Sequence, residues 1–103
     1  DALVMGADSL DPVRGLSTFR EDEAHITRAM VDAAERVIVL ADRTKLQKPS
    51  LHRICGLDRV ETLVTDLPPG SPLAARIEEA GVRVILTRPE EHAAVADAPA
   101  PTS

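Results

Sequence analysis

Four short runs of aliphatic residues, separated by helix-like stretches, constrain this chain more than any other feature. Three of the runs end in an aspartate and the fourth ends in a threonine. Near-continuous apolar strands that alternate with helices predict a parallel sheet covered on both faces. Because ligands bind outside the carboxyl ends of such strands, a polar residue repeated there predicts the position of a small-molecule site. The runs are residues Leu3–Asp8, Val37–Asp42, Thr62–Asp66 and Val82–Thr87.

The predicted fold class is α/β, with a mostly parallel sheet of about four strands in β-α-β-α-β-α-β order. Strands are expected over residues 2–7, 36–41, 60–64 and 82–86. The segment between the first strand and residue 17 is rich in Asp, Pro and Gly, which predicts a loop. The core must be aliphatic, because Phe19 is the only aromatic residue.

Three helices are expected between the strands. Residues 18–21 fit a capping box, so the first helix is predicted to begin at Thr18 and to reach about residue 35. Its apolar face is expected to contain Ile26, Met30, Ala33 and Ala34. Ser50 is expected to cap a short helix over residues 51–55. Ser71 followed by Pro72 predicts the start of the third helix, and Gly81 its end.

Composition excludes several function classes. The net charge is −5, from 17 acidic and 12 basic residues, and no basic stripe is visible, so this stretch is not expected to contact DNA itself. No run approaches the roughly 18 apolar residues of a membrane span, and no signal-peptide pattern is visible in these residues. The single cysteine, Cys55, fits a reducing cytoplasm. The three histidines match no metal spacing, so neither a metal nor a cofactor is expected.

The two ends of the chain carry further expectations. The first residue is Asp1 and a predicted strand follows at once, which we interpret as a segment of a longer chain. Residues 88–103 contain three prolines and little aliphatic bulk, which predicts a flexible tail. The expected division is therefore a folded part over residues 1–87 and a tail over residues 88–103.

Asp42-x-x-Lys45 is the leading candidate site, because it follows the carboxyl end of a predicted buried strand. Lys45 is a point charge on a flexible stem, which suits a phosphate or an acidic sugar group. Asp42 can accept hydrogen bonds from hydroxyls, or it can hold Lys45 in place. The alternative is a surface loop with a local ion pair, which is energetically minor.

Two further segments are candidates. In Gly6-Ala7-Asp8, Gly6 allows close approach of a ligand and Asp8 faces the crevice of Asp42 if their strands are neighbours; alternatively, Asp8 only starts a turn. Gly15 begins a stretch of small residues before the first helix, where backbone N–H groups can bind an anion. Acidic residues crowd that helix start and would repel a phosphate, so capping is favoured for Thr18 and a hydroxyl contact for Glu23.

An ordered series of segments resembles the second half of the sensor domain of DeoR-type transcriptional regulators, from Ala2 to about Leu86. No single segment is specific, but their order along the chain is. The segments are Gly6-Ala7-Asp8, Gly15-Leu16-Ser17-Thr18, Glu23-Ala24, Arg28-Ala29-Met30, Val39 to Lys45, Ser50-Leu51, Leu57-Asp58 and Leu63 to Asp66.

The resemblance implies a repressor whose sensor domain binds a phosphorylated sugar or a related anionic metabolite, with a fold similar to ribose-phosphate isomerase and coenzyme A transferases. It implies a homo-oligomer that contacts DNA through an N-terminal winged helix-turn-helix outside this chain. In the family, the Asp-x-x-Lys pair is associated with effector response, which corresponds here to Asp42 and Lys45. Ser9 departs from the glycine usual in the family, and the family's phosphate loop lies upstream of this stretch.

Two other functions are compatible with the same segments. Sugar-phosphate isomerases also use Gly-Ala-Asp and Asp-x-x-Lys segments, but they have an acidic residue where this chain has Met5 and a glycine-rich loop where it has residues 14–18. Glu23 is the one plausible catalytic base, so a binding fold without catalytic groups is favoured. The third hypothesis is an oligomerisation half-domain without any ligand.

Overall fold

A computed structural model describes residues 1–46 and 50–87. The described residues form seven strands, two α-helices and two short 3-10 turns. The first half contains β1 (Ala2–Gly6), β2 (Ser9–Asp11), β3 (Gly15–Thr18), α1 (Glu21–Ala33), β4 (Arg36–Leu40) and a 3-10 turn over Arg43–Lys45. The second half contains β5 (His52–Cys55), a 3-10 turn over Leu57–Arg59, β6 (Thr62–Thr65), α2 (Pro72–Glu79) and β7 (Arg83–Leu86).

The four predicted apolar strands form one parallel sheet, in the order β1-β4-β6-β7. The prediction of a mostly parallel, four-stranded α/β fold is therefore confirmed. Gly6 pairs with Leu40, Leu40 with Val64 and Val64 with Ile85, so the four strands end nearly level with one another. That alignment brings the four strand ends to one edge of the sheet.

A second sheet was not predicted. Strands β2, β3 and β5 form an antiparallel sheet, so the expected loop before residue 17 and the expected helix over residues 51–55 are both wrong. The Asp11 carboxylate accepts hydrogen bonds from the backbone N–H groups of Val13 and Arg14, which closes the turn between β2 and β3. Ser50 caps no helix, and its backbone N–H donates to the buried Ser17 hydroxyl.

The start of α1 also differs from the prediction. The helix begins at Glu21 with Arg20 as N-cap and without a side-chain cap, so the capping box of residues 18–21 does not form. Thr18 still belongs to β3, and its hydroxyl is bound to the Asp8 carboxylate instead. The start of α2 is as predicted, because the Ser71 side chain accepts a hydrogen bond from the backbone N–H of Ala74.

The buried face of α1 agrees with the face predicted from apolar spacing only at Ala34, which packs against the core. Ala24 and Val31 are buried against the core, whereas Ile26 and Met30 are 62% and 46% exposed. Small and β-branched side chains therefore let the helix lie close to the second sheet, and the larger aliphatic residues point to solvent. The core itself is aliphatic, as expected, and is built around Leu10, Leu16, Val39, Leu63 and Ile77.

Buried residues of both α-helices belong to one core cluster with residues from a single face of the parallel sheet. Side chains alternate between the two faces along each strand. Among the strand residues of the parallel sheet, the apolar ones in the core cluster all lie on one face: Leu3, Met5, Val37, Val39, Leu63 and Val84. The residues of the other face form what we call the open face, which includes Val4, Ile38, Leu40, Val64 and Ile85 together with Arg36, Thr62 and Arg83. Within residues 1–46 and 50–87, the prediction of a sheet covered on both faces is therefore wrong.

One prediction falls on residues that the structure does not describe. The expected tail over residues 88–103 lies outside the described part of the chain. No helix in the described ranges is long and apolar enough to cross a membrane.

Candidate functional site

A row of polar side chains lies along the carboxyl edge of the parallel sheet. Each member is two residues beyond one of the four in-register positions that end the strands. Because β1 and β4 are neighbours, Asp8 and Asp42 follow the ends of adjacent strands. We call this set the carboxyl-edge row; its members are Asp8, Asp42, Asp66 and Thr87.

Asp8 is held in place by the second sheet. Its Oδ2 accepts a 2.7 Å hydrogen bond from the hydroxyl of Thr18, which is buried. The backbone N–H of Ala7 donates to the carbonyl of Leu40 at 3.3 Å, so pairing with β4 continues past the end of β1. Gly6 is exposed, and a Cβ there would meet only the carbonyl oxygen of Leu40, at 3.9 Å. This side of the strand end is therefore open to a bound molecule.

Asp42 organises the turn that carries Lys45. Its side chain accepts hydrogen bonds from both the backbone N–H of Thr44, at 2.9 Å, and the Thr44 hydroxyl. The backbone N–H of Lys45 donates to the Asp42 carbonyl at 3.0 Å, which closes the 3-10 turn. The Asp42 carboxylate thus fixes the backbone from which the Lys45 side chain extends.

The Lys45 side chain is exposed, and its backbone belongs to the 3-10 turn that follows β4. In the described part of the chain, no carboxylate lies within ion-pair distance of its ammonium group. The local Asp42–Lys45 ion pair that was the alternative explanation of this motif is therefore not formed. A lysine on the same edge as three carboxylates can neutralise an anionic group that approaches from solvent.

Asp66 is a member of the row that sequence reasoning did not include in the site. Its Oδ1 accepts a 2.7 Å hydrogen bond from the backbone N–H of Arg43, and its Oδ2 lies 3.5 Å from the Arg43 Nε. The signal was present, because the third apolar run ends in Asp66 as the first two end in Asp8 and Asp42. The arginine offsets part of the negative charge at this edge.

Gly15 is not brought into the row. It begins β3, at the opposite end of that strand from Thr18, and it is buried. Its φ is +82°, and an added Cβ would lie 2.2 Å from the carbonyl oxygen of Cys55. The positive φ and the nearby carbonyl oxygen of Cys55 explain why glycine is required at this position, without any ligand.

Glu23 lies in the exposed first turn of α1, three residues after the N-cap Arg20. Arg20 forms an ion pair with Asp22, and this side-chain hydrogen bond lowers the pKa of the Asp22 carboxyl. Negative charge is therefore concentrated at this helix start, which disfavours direct binding of an anion there. Of the predicted site residues, Gly6 and Asp8 lie at the end of β1, and Asp42 and Lys45 follow the end of the neighbouring β4. Gly15 and Glu23 lie elsewhere, in β3 and α1.

Comparison with known proteins agrees with this architecture. The family model described as the DeoR C terminal sensor domain matches residues 1–67. A protein of Escherichia coli O157:H7, whose name describes an aga operon transcriptional repressor, is 40% identical over 86 residues, 84% of this chain and 32% of its own length. The HTH-type transcriptional regulator GlpR of Haloferax volcanii is 35% identical over 85 residues, 82% of this chain and 33% of its own.

A third relative, the HTH-type transcriptional repressor GlcR of Bacillus subtilis, is 29% identical over 77 residues, 75% of this chain and 30% of its own length. The chain therefore spans about a third of the length of these curated relatives. It belongs to the DeoR family of transcriptional regulators, through the C-terminal sensor domain of that family. This domain is a sensor and not an enzyme, and relatives of the chain are named as transcriptional repressors.

Proposed function

We propose that this chain is the effector-binding part of a DeoR-type repressor, and that it binds a phosphorylated sugar or a similar anionic metabolite at the carboxyl-edge row. The observation that carries the proposal is the arrangement of Asp8, Asp42 and Lys45 at one edge of the sheet. Open parallel sheets bind their ligands at this edge.

The chemistry of the row suits a ligand that has both hydroxyl groups and one anionic group. Carboxylates accept hydrogen bonds from sugar hydroxyls, and they retain acceptor capacity beyond a single partner. Asp8 has one hydrogen bond from Thr18, which orients its carboxylate and leaves lone pairs for a ligand. The exposed ammonium of Lys45 supplies the positive charge that an anionic group requires.

The rest of the proposed protein completes the function. DNA binding is assigned to a helix-turn-helix outside this chain, because the charge of this chain is −5 and unfavourable for contact with phosphates. We propose that the protein acts as a homo-oligomer in the cytoplasm, where effector binding at the row changes its affinity for DNA. The names of the relatives, which describe transcriptional repressors, support this assignment.

A ligand screen on the intact protein tests the proposal. Melting temperature is measured with a panel of pentose and hexose phosphates, each beside its unphosphorylated sugar and beside inorganic phosphate. A binder at a hundred times its Kd stabilises the folded state by about 2.7 kcal/mol. We expect stabilisation by a sugar phosphate, no comparable effect of the matched sugar, and no turnover. No shift with any compound contradicts the proposal.

A further inference from the structure

Phe19 is the only aromatic residue of the chain, and its side chain is 65% exposed. Burial of a phenylalanine ring is strongly stabilising, so a ring left in water contributes little to the stability of the fold. The core takes its bulk from aliphatic side chains instead. Packing of the core therefore does not explain why the one aromatic ring is present.

The start of α1 does not explain Phe19 either. Phe19 precedes the N-cap residue Arg20, and a hydrophobic residue at that position often packs against the fourth residue of the helix. Here the fourth residue is Ala24, which is buried and offers only a methyl group. Because Phe19 stays largely exposed, a contact of this kind does not bury its ring.

Phe19 lies next to the residue that orients Asp8. It directly follows Thr18, whose hydroxyl donates the 2.7 Å hydrogen bond to the Asp8 carboxylate. Thr18 is buried and ends β3, so the backbone that carries Phe19 is fixed on its N-terminal side. The aromatic ring is therefore attached one residue away from the candidate site.

A second exposed apolar side chain, Leu51, lies at the same end of the antiparallel sheet. Thr18 and His52 form the last pair between β3 and β5, and Phe19 and Leu51 are the next residues of the two segments. Leu51 is 76% exposed. Two large apolar side chains thus follow the last pair of this sheet, at the end where Thr18 binds Asp8.

We propose that Phe19 is a specificity-determining residue of the effector site, with a ring that stacks on the C–H face of a cyclic sugar phosphate; this inference rests on the function proposed above. Ligand sites combine apolar or aromatic walls with a few polar groups, and Asp8 and Lys45 supply polar groups only. The face of an aromatic ring carries partial negative charge, which attracts the C–H groups of a sugar ring. An open-chain sugar has no rigid face of this kind, so Phe19 selects the cyclic form.

Calorimetric titration of the intact regulator tests this role. The probes are ring-forming pentose and hexose phosphates, each beside its open-chain alditol phosphate, such as glucose 6-phosphate beside glucitol 6-phosphate. We expect the wild type to bind a ring-forming phosphate more tightly than its alditol phosphate. Phe19→Ala should weaken binding of the ring-forming compound about fivefold to tenfold and leave the alditol phosphate unaffected. Phe19→Tyr keeps the aromatic ring and should retain the preference.

Val13→Ala is the matched control. Val13 is 78% exposed and belongs to the turn between β2 and β3, at the opposite end of β3 from Thr18. Its replacement should change no affinity. Because Val13 and Phe19 are both largely exposed, neither substitution should lower the melting temperature of the ligand-free protein, which excludes misfolding as the cause of a lost affinity.

The same titration of Lys45→Ala separates this inference from the proposed function. If Lys45→Ala loses affinity and Phe19→Ala does not, the role of Phe19 is refuted and the proposed function stands. If only Phe19→Ala loses affinity, the role of Phe19 stands and that of Lys45 is refuted. A wild type that binds none of the probes contradicts both. Unchanged affinity of Phe19→Ala with an altered mass by light scattering assigns the ring to an interface between copies and also refutes its role in the site.

Discussion

The buried hydroxyl of Thr18 donates a 2.7 Å hydrogen bond to Oδ2 of Asp8, ten residues earlier in the chain. The bond joins the end of β3 in the small antiparallel sheet to the segment that leaves β1 in the parallel sheet. It connects the two sheets at the edge where the candidate site lies. The orientation of the Asp8 carboxylate therefore depends on a residue of the second sheet.

Replacing Thr18 by valine removes this bond and keeps the shape of the side chain. Because hydrogen bonds to charged groups contribute more than neutral ones, we expect a loss of about 2 kcal/mol in the free energy of unfolding. Urea denaturation of the intact protein measures it. The control is Thr27→Val, whose hydroxyl in α1 has no hydrogen bond among the described residues. Equal destabilisation by the two variants would contradict this role of Thr18.

Substitution of Gly15 by alanine separates backbone strain from steric clash. Gly15 has a φ of +82° and an added Cβ would lie 2.2 Å from the Cys55 carbonyl oxygen, whereas Gly70 has a φ of +81° with nothing within 4 Å. We expect Gly70→Ala to cost about 1 kcal/mol from strain alone. Gly15→Ala must also displace the backbone at Cys55, which adds about 1 to 3 kcal/mol. Comparable unfolding midpoints for the two variants would refute the close passage of Cys55.

Removing the Lys45 ammonium should uncouple sensing from repression. In the intact regulator we expect Lys45→Ala to abolish the release of DNA by the effector while leaving DNA affinity unchanged. The effector response is lost because Lys45 provides exposed positive charge at the carboxyl edge. DNA affinity is kept because the proposed function assigns DNA binding to a module outside this chain. Operator binding with and without the effector measures both quantities. Arg76→Ala, an exposed change on α2, is the control, and normal derepression by Lys45→Ala would rule out the site.

The Arg36–Glu61 ion pair predicts a pH-dependent difference in stability. The Arg36 guanidinium binds the Glu61 carboxylate with two short contacts, at 2.8 Å and 2.9 Å, and this hydrogen bonding lowers the pKa of Glu61 from its ordinary value of 4.5. A carboxyl with a depressed pKa in the folded state stabilises above its unfolded pKa, and this stabilisation disappears as the pH falls through the folded value.

We therefore expect a small stability advantage of the wild type over Glu61→Gln at pH 7, which shrinks once the pH drops below about 4.5. Both groups are exposed, so the advantage is further reduced by salt. Melting temperatures between pH 7 and pH 3 measure it. Glu78→Gln is the control, because Glu78 forms no ion pair within the described ranges. A difference that stays constant with pH would exclude the ion pair as its cause.

The parallel sheet could be predicted because each of its strands is a local pattern. The three aliphatic runs that end in aspartate, and the fourth that ends in Thr87, mark strand and edge together. The adjacency of these strands in the sheet follows from the preference of sequential strands to lie side by side. The placement of the candidate residues Asp8, Asp42 and Lys45 could be predicted for the same reason, since strand ends in one sheet meet at one edge.

The antiparallel sheet could not be predicted because its strands are short and contain turn residues. Strand β2 has three residues between Asp8 and Pro12, so turn chemistry dominates the local signal. Strand β5 begins after Ser50 and ends before Gly56, a spacing that also suits a capped helix. Pairing with β3 decides in favour of the strand, and this is tertiary information. The same holds for Thr18, whose hydroxyl has a local use as a cap and a distant use at Asp8.

Arg43 contacts the Asp66 carboxylate twice. Its backbone N–H donates to Oδ1 at 2.7 Å, and its Nε lies 3.5 Å from Oδ2. These two contacts connect the segment that bears Lys45 to the segment that leads from β6 toward α2. If a bound metabolite displaces Lys45, the segment between β6 and α2 is expected to move with it, unless both contacts to Asp66 are broken first. These contacts therefore couple a displacement at the end of β4 to a displacement of α2.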